Sequence, residues 1–198
     1  MKLLDARRDY YRRLAREQGY RSRSAFKLKE LNKSYRLIGP GFSVLDLGCA
    51  PGGWLQVASQ LSGNRGMVMG VDMDYVEELP NVSIIRRNIS DVENIVDDVL
   101  EYFGKRINTV ICDMSPQVTG RWSVDHAVQI GSNYDCVQVM DKVLTNKGNA
   151  LFKVFDGEYT LEFRDFVKKK FSKVILTKPK ASRKASSELY FVCLGYTS

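Results

Sequence analysis

The sequence predicts an α/β fold, a mostly parallel doubly wound sheet with an antiparallel last strand. Three observations lead there. Short apolar runs alternate with segments of helical periodicity from about residue 43 onward, the pattern of a parallel sheet covered by helices. The first run ends in a glycine-rich turn that opens an amphipathic helix. Acidic or amide residues then stand just past successive strands, on the side where open α/β sheets bind ligands.

The elements follow in order. Asp5–Gln18 is compatible with a helix but polar on nearly every side, so propensity alone would not hold it. Ser24–Leu31 reads as a second short helix, with Phe26 and Leu31 reaching the core. Gly39-Pro40-Gly41 then breaks the chain. Val44–Leu47 is the first strand. Trp54, Val57, Ala58 and Leu61 recur at i, i+3, i+4 and i+7, which gives a helix with one apolar face. Val68–Val71, ending at Asp72, and Val82–Ile85 are the second and third strands. Asp91–Tyr102 is a helix whose early acids suit its dipole. Val110–Cys112 is a fourth strand, ending at Asp113 and a Ser115-Pro116 break. Val124–Leu144 holds a long helix, expected to be irregular near Gly131. Ala150–Phe155 is the fifth strand and Leu161–Lys170 a helix. Val174–Leu176 with Leu189–Leu194 forms a closing hairpin, which makes the last strand antiparallel. Residues 1–36 are expected as a basic helical arm packed on the single domain formed by residues 37–198.

A chain of 198 residues suits one domain with a full core. No apolar run approaches a membrane span and no apolar signal region opens the chain, so the expected setting is cytoplasmic, with no membrane partner. Cys49, Cys112, Cys136 and Cys193 show no C-x-x-C pairing and read as buried free thiols. The net charge of +7 points to a polyanionic partner. Its distribution is more telling: residues 1–36 hold 12 Lys/Arg against 4 Asp/Glu, an excess larger than that of the whole chain. A second basic stretch, Arg164–Lys184, holds 9 Lys/Arg against Asp165 alone. Two basic segments flanking a nearly neutral fold favour nucleic-acid contact over a merely solvated surface.

In Asp46-Leu47-Gly48-Cys49-Ala50-Pro51-Gly52-Gly53-Trp54, three glycines let backbone approach a nucleotide-like cofactor closely. The dinucleotide pattern G-x-G-x-x-G is absent, which argues against a nicotinamide oxidoreductase, and no Walker-type G-K-[ST] follows. Asp72 is placed to accept from both ribose hydroxyls of such a cofactor, and Asn88 and Asp113 follow at later strand ends. Trp54 either packs in the core or borders the cofactor. A second constellation is Lys27, Asp113, Lys153 and Glu188. Lys153 sits inside the apolar strand Leu151–Phe155, where a charge is costly unless paired or functional. It is either an edge-strand lysine or, buried beside another cation, a general base of lowered pKa. His126, the sole histidine, has no metal-ligand partner at useful spacing and reads as structural; no metal site is expected.

The glycine turn resembles the cofactor turn of the FtsJ/RrmJ-type ribosomal RNA 2′-O-ribose methyltransferases. So do Arg21–Leu28, Cys112-Asp113-Met114-Ser115-Pro116, Lys153-Val154-Phe155-Asp156-Gly157 and Ser186-Ser187-Glu188-Leu189-Tyr190, in the same order along residues 21–195. The resemblance implies a Rossmann-like methyltransferase fold. It also implies S-adenosyl-L-methionine held by Gly52, Trp54, Asp72, Asn88 and Asp113, and a catalytic tetrad of Lys27, Asp113, Lys153 and Glu188. The family usually carries Asp at position 88. The amide carbonyl of Asn88 can still accept from an adenine amino group, and Asp91 is a substitute. Lys153 would accept the proton of a ribose 2′-OH while the other three position the hydroxyl, with no metal required. The implied partner is ribosomal RNA, in particular a uridine within the assembled large subunit, for a monomeric enzyme. Methylation of a transfer-RNA anticodon loop is the alternative, and a noncatalytic RNA-binding module is disfavoured by the intact tetrad.

Overall fold

The computed structural model describes residues 3–115, 119–183 and 186–197, with side chains from Tyr10 onward. Pro116, and Lys184 at the end of the second basic stretch, lie outside the described residues.

Seven strands form one sheet in the order β3-β2-β1-β4-β5-β7-β6. They are β1 (Ser43–Leu47), β2 (Met67–Asp72), β3 (Val82–Arg86), β4 (Ile107–Cys112), β5 (Leu144–Phe155), β6 (Phe171–Thr177) and β7 (Glu188–Tyr196). β1 pairs in parallel with both β2 and β4, and β3 and β5 extend the parallel run on either side. β7 inserts antiparallel between β5 and β6. The chain therefore reverses its winding between β1 and β4, which opens a crevice beyond their carboxyl ends.

The alternation of side chains along each strand divides the core into two layers. Val44, Val68, Ile111, Leu151 and Val192 pack with α1 (Leu3–Glu17), α2 (Ala25–Tyr35) and α3 (Gly53–Ser62). Leu45, Met69, Val110, Phe152 and Phe191 face the other way, onto α4 (Val92–Phe103), α5 (Trp122–Val143) and α6 (Thr160–Lys168). The predicted fold class is the observed one. All four cysteines are buried free thiols. Among the described residues no helix is long and apolar enough to cross a membrane.

The long helix and the fifth strand both differ from expectation, for physical reasons. α5 runs unbroken through Gly131, because a side chain there would meet open space and no neighbour distorts the turn. β5 starts at Leu144 rather than Ala150, since its early residues join the β4 ladder across a register shift at Ile107–Thr109. α5 also lacks a clean apolar face, which obscured its start. Asp125, His126, Gln129 and Asn133 are all buried on it, occupied with neighbouring loops and with β5.

Candidate active site

The glycine turn leaves β1 and enters α3 beneath the N-terminal segment. Gly52 has φ of 104°, and a Cβ there would come within 2.7 Å of Arg21 Nη1. Arg21 is therefore not a free phosphate ligand. Its guanidinium donates to the carbonyls of Glu77 (2.6 Å) and Glu78 (3.0 Å), binding the loop after β2 to the turn. A Cβ at Gly48 (φ 78°) would collide with Met114 at 2.1 Å, so the turn and the segment after β4 are pressed together by the lack of a side chain.

Asp72, at the end of β2, accepts from the Ala50 N–H at Oδ2 (2.8 Å) and from the Asp74 N–H at Oδ1 (2.9 Å). Each oxygen keeps a second lone pair for a ligand hydroxyl. Asn88 is exposed, and its Oδ1 takes the Ser90 N–H at 3.1 Å. Asp91 is already bound by Arg87 at 3.3 Å and Asn94 at 2.6 Å, which leaves Asn88 the freer of the two. Trp54 is buried, stands 6.1 Å from the Tyr190 ring, and spends its indole N–H on the Ser24 carbonyl at 2.9 Å. Its ring is core; only its backbone is left to meet a cofactor.

Four predicted polar residues from four distant parts of the chain converge. Lys27, buried on α2, donates to both Glu188 oxygens at 2.9 Å. Lys153, buried on β5, donates to the Asp113 carbonyl (2.6 Å) and to Ser115 Oγ (2.7 Å), and pairs with Asp113 Oδ1 at 3.2 Å. The register Lys153↔Tyr190 and Phe155↔Glu188 sets the two pairs side by side. Burial raises the Glu188 pKa, but the ammonium groups of Lys27 and Lys153 outweigh it and hold the carboxyl below its ordinary range. Each buried ammonium thus has its carboxylate, which is the condition for tolerating such charges.

Tyr190 joins the pairs and was missed from sequence. Its hydroxyl accepts from Lys27 Nζ (3.2 Å) and donates to Asp113 Oδ1 (3.1 Å). Burial, then the carboxylates of Asp113 and Glu188, push its pKa well up, so it remains a neutral phenol. The signal was available: Tyr190 lies two residues after Glu188, on the same face of a strand. Tyr190→Phe should lower stability by about 1–3 kcal/mol, because Lys27 and Asp113 each lose a partner in a buried network. Urea unfolding of the two proteins measures this; an unchanged midpoint would mean that the hydroxyl bridges nothing of consequence.

Asp46, on β1, is fully buried, and neither carboxyl oxygen has a hydrogen-bond partner among the described residues. Burial raises its pKa well above the usual range, and Asp113, Cys112 and Asp72 add to the effect. Its neighbours place it beneath the crevice lined by the glycine turn and Asp113.

The arrangement offers a backbone turn and carboxylates for a nucleoside-like ligand, next to a buried lysine able to handle a proton. The chain as a whole is similar to known proteins. Residues 20–196 match the model of the FtsJ-like methyltransferase family. Over 99% of both chains, the protein is 69% identical to a Nitrosopumilus maritimus protein named ribosomal RNA large subunit methyltransferase E. A protein of that name from Methanocaldococcus jannaschii is 41% identical, over 98% of this chain and 81% of the other. A crystal structure of a Plasmodium falciparum protein described as a ribosomal RNA methyltransferase superposes with a TM-score of 0.81. It is 27% identical and covers 89% of this chain and 98% of its own. The chain is an enzyme of this group: it belongs to the FtsJ-like methyltransferase family.

Proposed function

We propose that the protein transfers a methyl group from S-adenosylmethionine to a ribose 2′-OH of large-subunit ribosomal RNA, at a uridine. The observation that carries this is the buried Lys27–Glu188–Tyr190–Asp113–Lys153 network set beside the glycine turn. The cofactor would supply an electrophilic methyl group on a sulfonium. Gly52, the Trp54 backbone, Asp72, Asn88 and Asp113 are the residues proposed to hold it; hydroxyl acceptors and an adenine-facing amide fit its chemistry. No metal is needed for the step.

Lys153 is proposed as the proton acceptor for the 2′-OH. Its three present contacts are all to acceptor oxygens. As an ammonium, Lys153 must first release a proton, which exposed Ser115 can pass to solvent; the neutral amine then has the lone pair that takes the 2′-OH proton. Asp113 and Glu188 hold charge balance, and Lys27 with Tyr190 keeps both carboxylates in place.

The basic segments support an RNA substrate. Glu30 of α2 accepts the backbone N–H groups of Lys180 (2.7 Å) and Ala181 (3.1 Å), so the segment after β6 packs on the N-terminal helices. Arg12, Arg16, Lys33, Lys180 and Arg183 are exposed there. Phosphate contacts of this kind give salt-sensitive affinity with little sequence information, leaving identity to RNA shape. The names of the relatives point to the large subunit. Labelled-methyl transfer to large ribosomal subunits, naked ribosomal RNA and bulk transfer RNA should label the ribosomal substrates, at a 2′-O position. Label confined to transfer RNA would overturn the substrate; label on a base would overturn the chemistry.

A further inference from the structure

Beside the tetrad, the carboxyl end of β5 carries a group of aromatic rings that the methyl-transfer reading does not use. Trp122 opens α5 and is 49% exposed; Tyr159, just before α6, is 38% exposed. The buried imidazole of His126 is nearly parallel to both, at 11° and 6.5 Å from Trp122 and at 8° and 5.7 Å from Tyr159. Trp122 also leans on Phe155 at 5.5 Å. Phe155 is the register partner of Glu188 and lies two residues beyond Lys153.

The step is rigid. His126 Nε2 accepts the Tyr159 N–H at 3.0 Å, which puts the ring proton on Nδ1, buried with no partner among the described residues. Burial lowers the His126 pKa against the pull of Asp156 and Glu158, so the ring is held as a neutral wedge. Gln129 Oε1 accepts the Phe155 N–H (2.6 Å), and Asn133 donates to the Lys153 carbonyl (2.9 Å). The helix bearing Trp122 is thereby fixed to the strand bearing Lys153. Asp125 binds the Thr119 hydroxyl (2.7 Å) and the Gly120 N–H (3.2 Å), which holds the chain entering that helix.

We propose that Trp122, His126 and Tyr159 form a stacking platform for an unpaired RNA base next to the ribose presented to Lys153. The proposal rests on the ribose-methylation reading and names how the substrate strand is held. Flat parallel rings suit a nucleobase, every kind of which has a π-face to stack. Exposed Arg121 directly precedes Trp122 and can meet a phosphate, while exposed Asp156 and Glu158 can accept from base amino groups. The platform is continuous with the tetrad through Phe155 and Glu188, so a strand whose ribose reaches Lys153 places a neighbouring base within reach of it. A protein partner would leave that continuity unexplained.

The chain has two tryptophans, and Trp54 is buried, so fluorescence changes on RNA binding report Trp122. Titration with a single-stranded oligouridylate of about 12 nucleotides should quench the emission, and Trp122→Phe should remove the quenching. In methyl transfer to ribosomal RNA, Trp122→Ala should raise KM for RNA by about 5- to 100-fold while leaving S-adenosylmethionine affinity unchanged, which also shows that it folds. Trp122→Phe should recover most of the loss. Absence of quenching by the single strand, or an unchanged RNA KM in Trp122→Ala, would overturn the platform. If the wild-type protein methylated no RNA at all, the ribose reading would fall; quenching needs no turnover and would still decide the platform.

Discussion

Lys153→Ala is expected to lower methyl transfer by about 10²- to 10⁴-fold, the usual worth of a positioned acid or base, with S-adenosylmethionine affinity nearly unchanged. The alanine variant alone does not separate loss of a base from loss of a charge, since removing Lys153 also leaves Asp113 without its ion pair. Lys153→Arg makes the separation. A guanidinium keeps the positive charge beside Asp113 but stays protonated throughout the working range. If Lys153 accepts the proton, the arginine variant should be nearly as inactive as the alanine one. Substantial turnover by Lys153→Arg would show that the position supplies charge and orientation only. Single-turnover methyl transfer, with cofactor binding measured separately by calorimetry, gives both quantities.

The outline of this site was legible because its parts are local in sequence. A glycine-rich turn after an apolar run, and carboxylates at strand ends, follow from periodicity, and Lys153 stood out as a charge within an apolar strand. What the sequence could not display was who pays for each charge. Arg21 was counted in the basic arm, yet it is occupied by two carbonyls 56 and 57 residues away. Lys27 was counted in a basic arm and is in fact a buried half of an ion pair with Glu188. Trp54 stood open between core and cofactor until its indole N–H was found on Ser24. His126 read as structural, as its burial supports, but its two parallel ring neighbours come from different elements and leave no periodic trace. The expected irregularity at Gly131 had the opposite cause of error: a glycine was read as disturbing a helix that leaves only open space around it.

Asp46→Asn is expected to stabilise the cofactor-free protein at pH 8, and the gain should fade toward pH 4. The unfolded carboxyl titrates near 4. The folded one titrates well above that, through burial first and then repulsion from Asp113, Cys112 and Asp72. Between those two values the folded chain holds a proton that the unfolded chain has released. Stability therefore falls as pH rises from about 4 toward the folded pKa, and above it the loss is complete. Asparagine is close in shape and cannot ionise, so it removes this loss while leaving a polar group in the same place. Each kcal/mol recovered should appear as a rise of about 2–4 °C in Tm for a chain of this size. Thermal unfolding of both proteins between pH 4 and pH 8 provides the test, and a difference that grows on acidification would show the sign to be wrong. A destabilising acid at this place calls for a compensating use. Asp46 lies beneath the crevice whose other carboxylates, Asp72 and Asp113, are proposed to meet a cofactor carrying two positive charges. Saturating S-adenosylmethionine should then raise Tm more in the wild-type protein than in Asp46→Asn at pH 8, because a bound cation offsets the repulsion that the substitution has already removed.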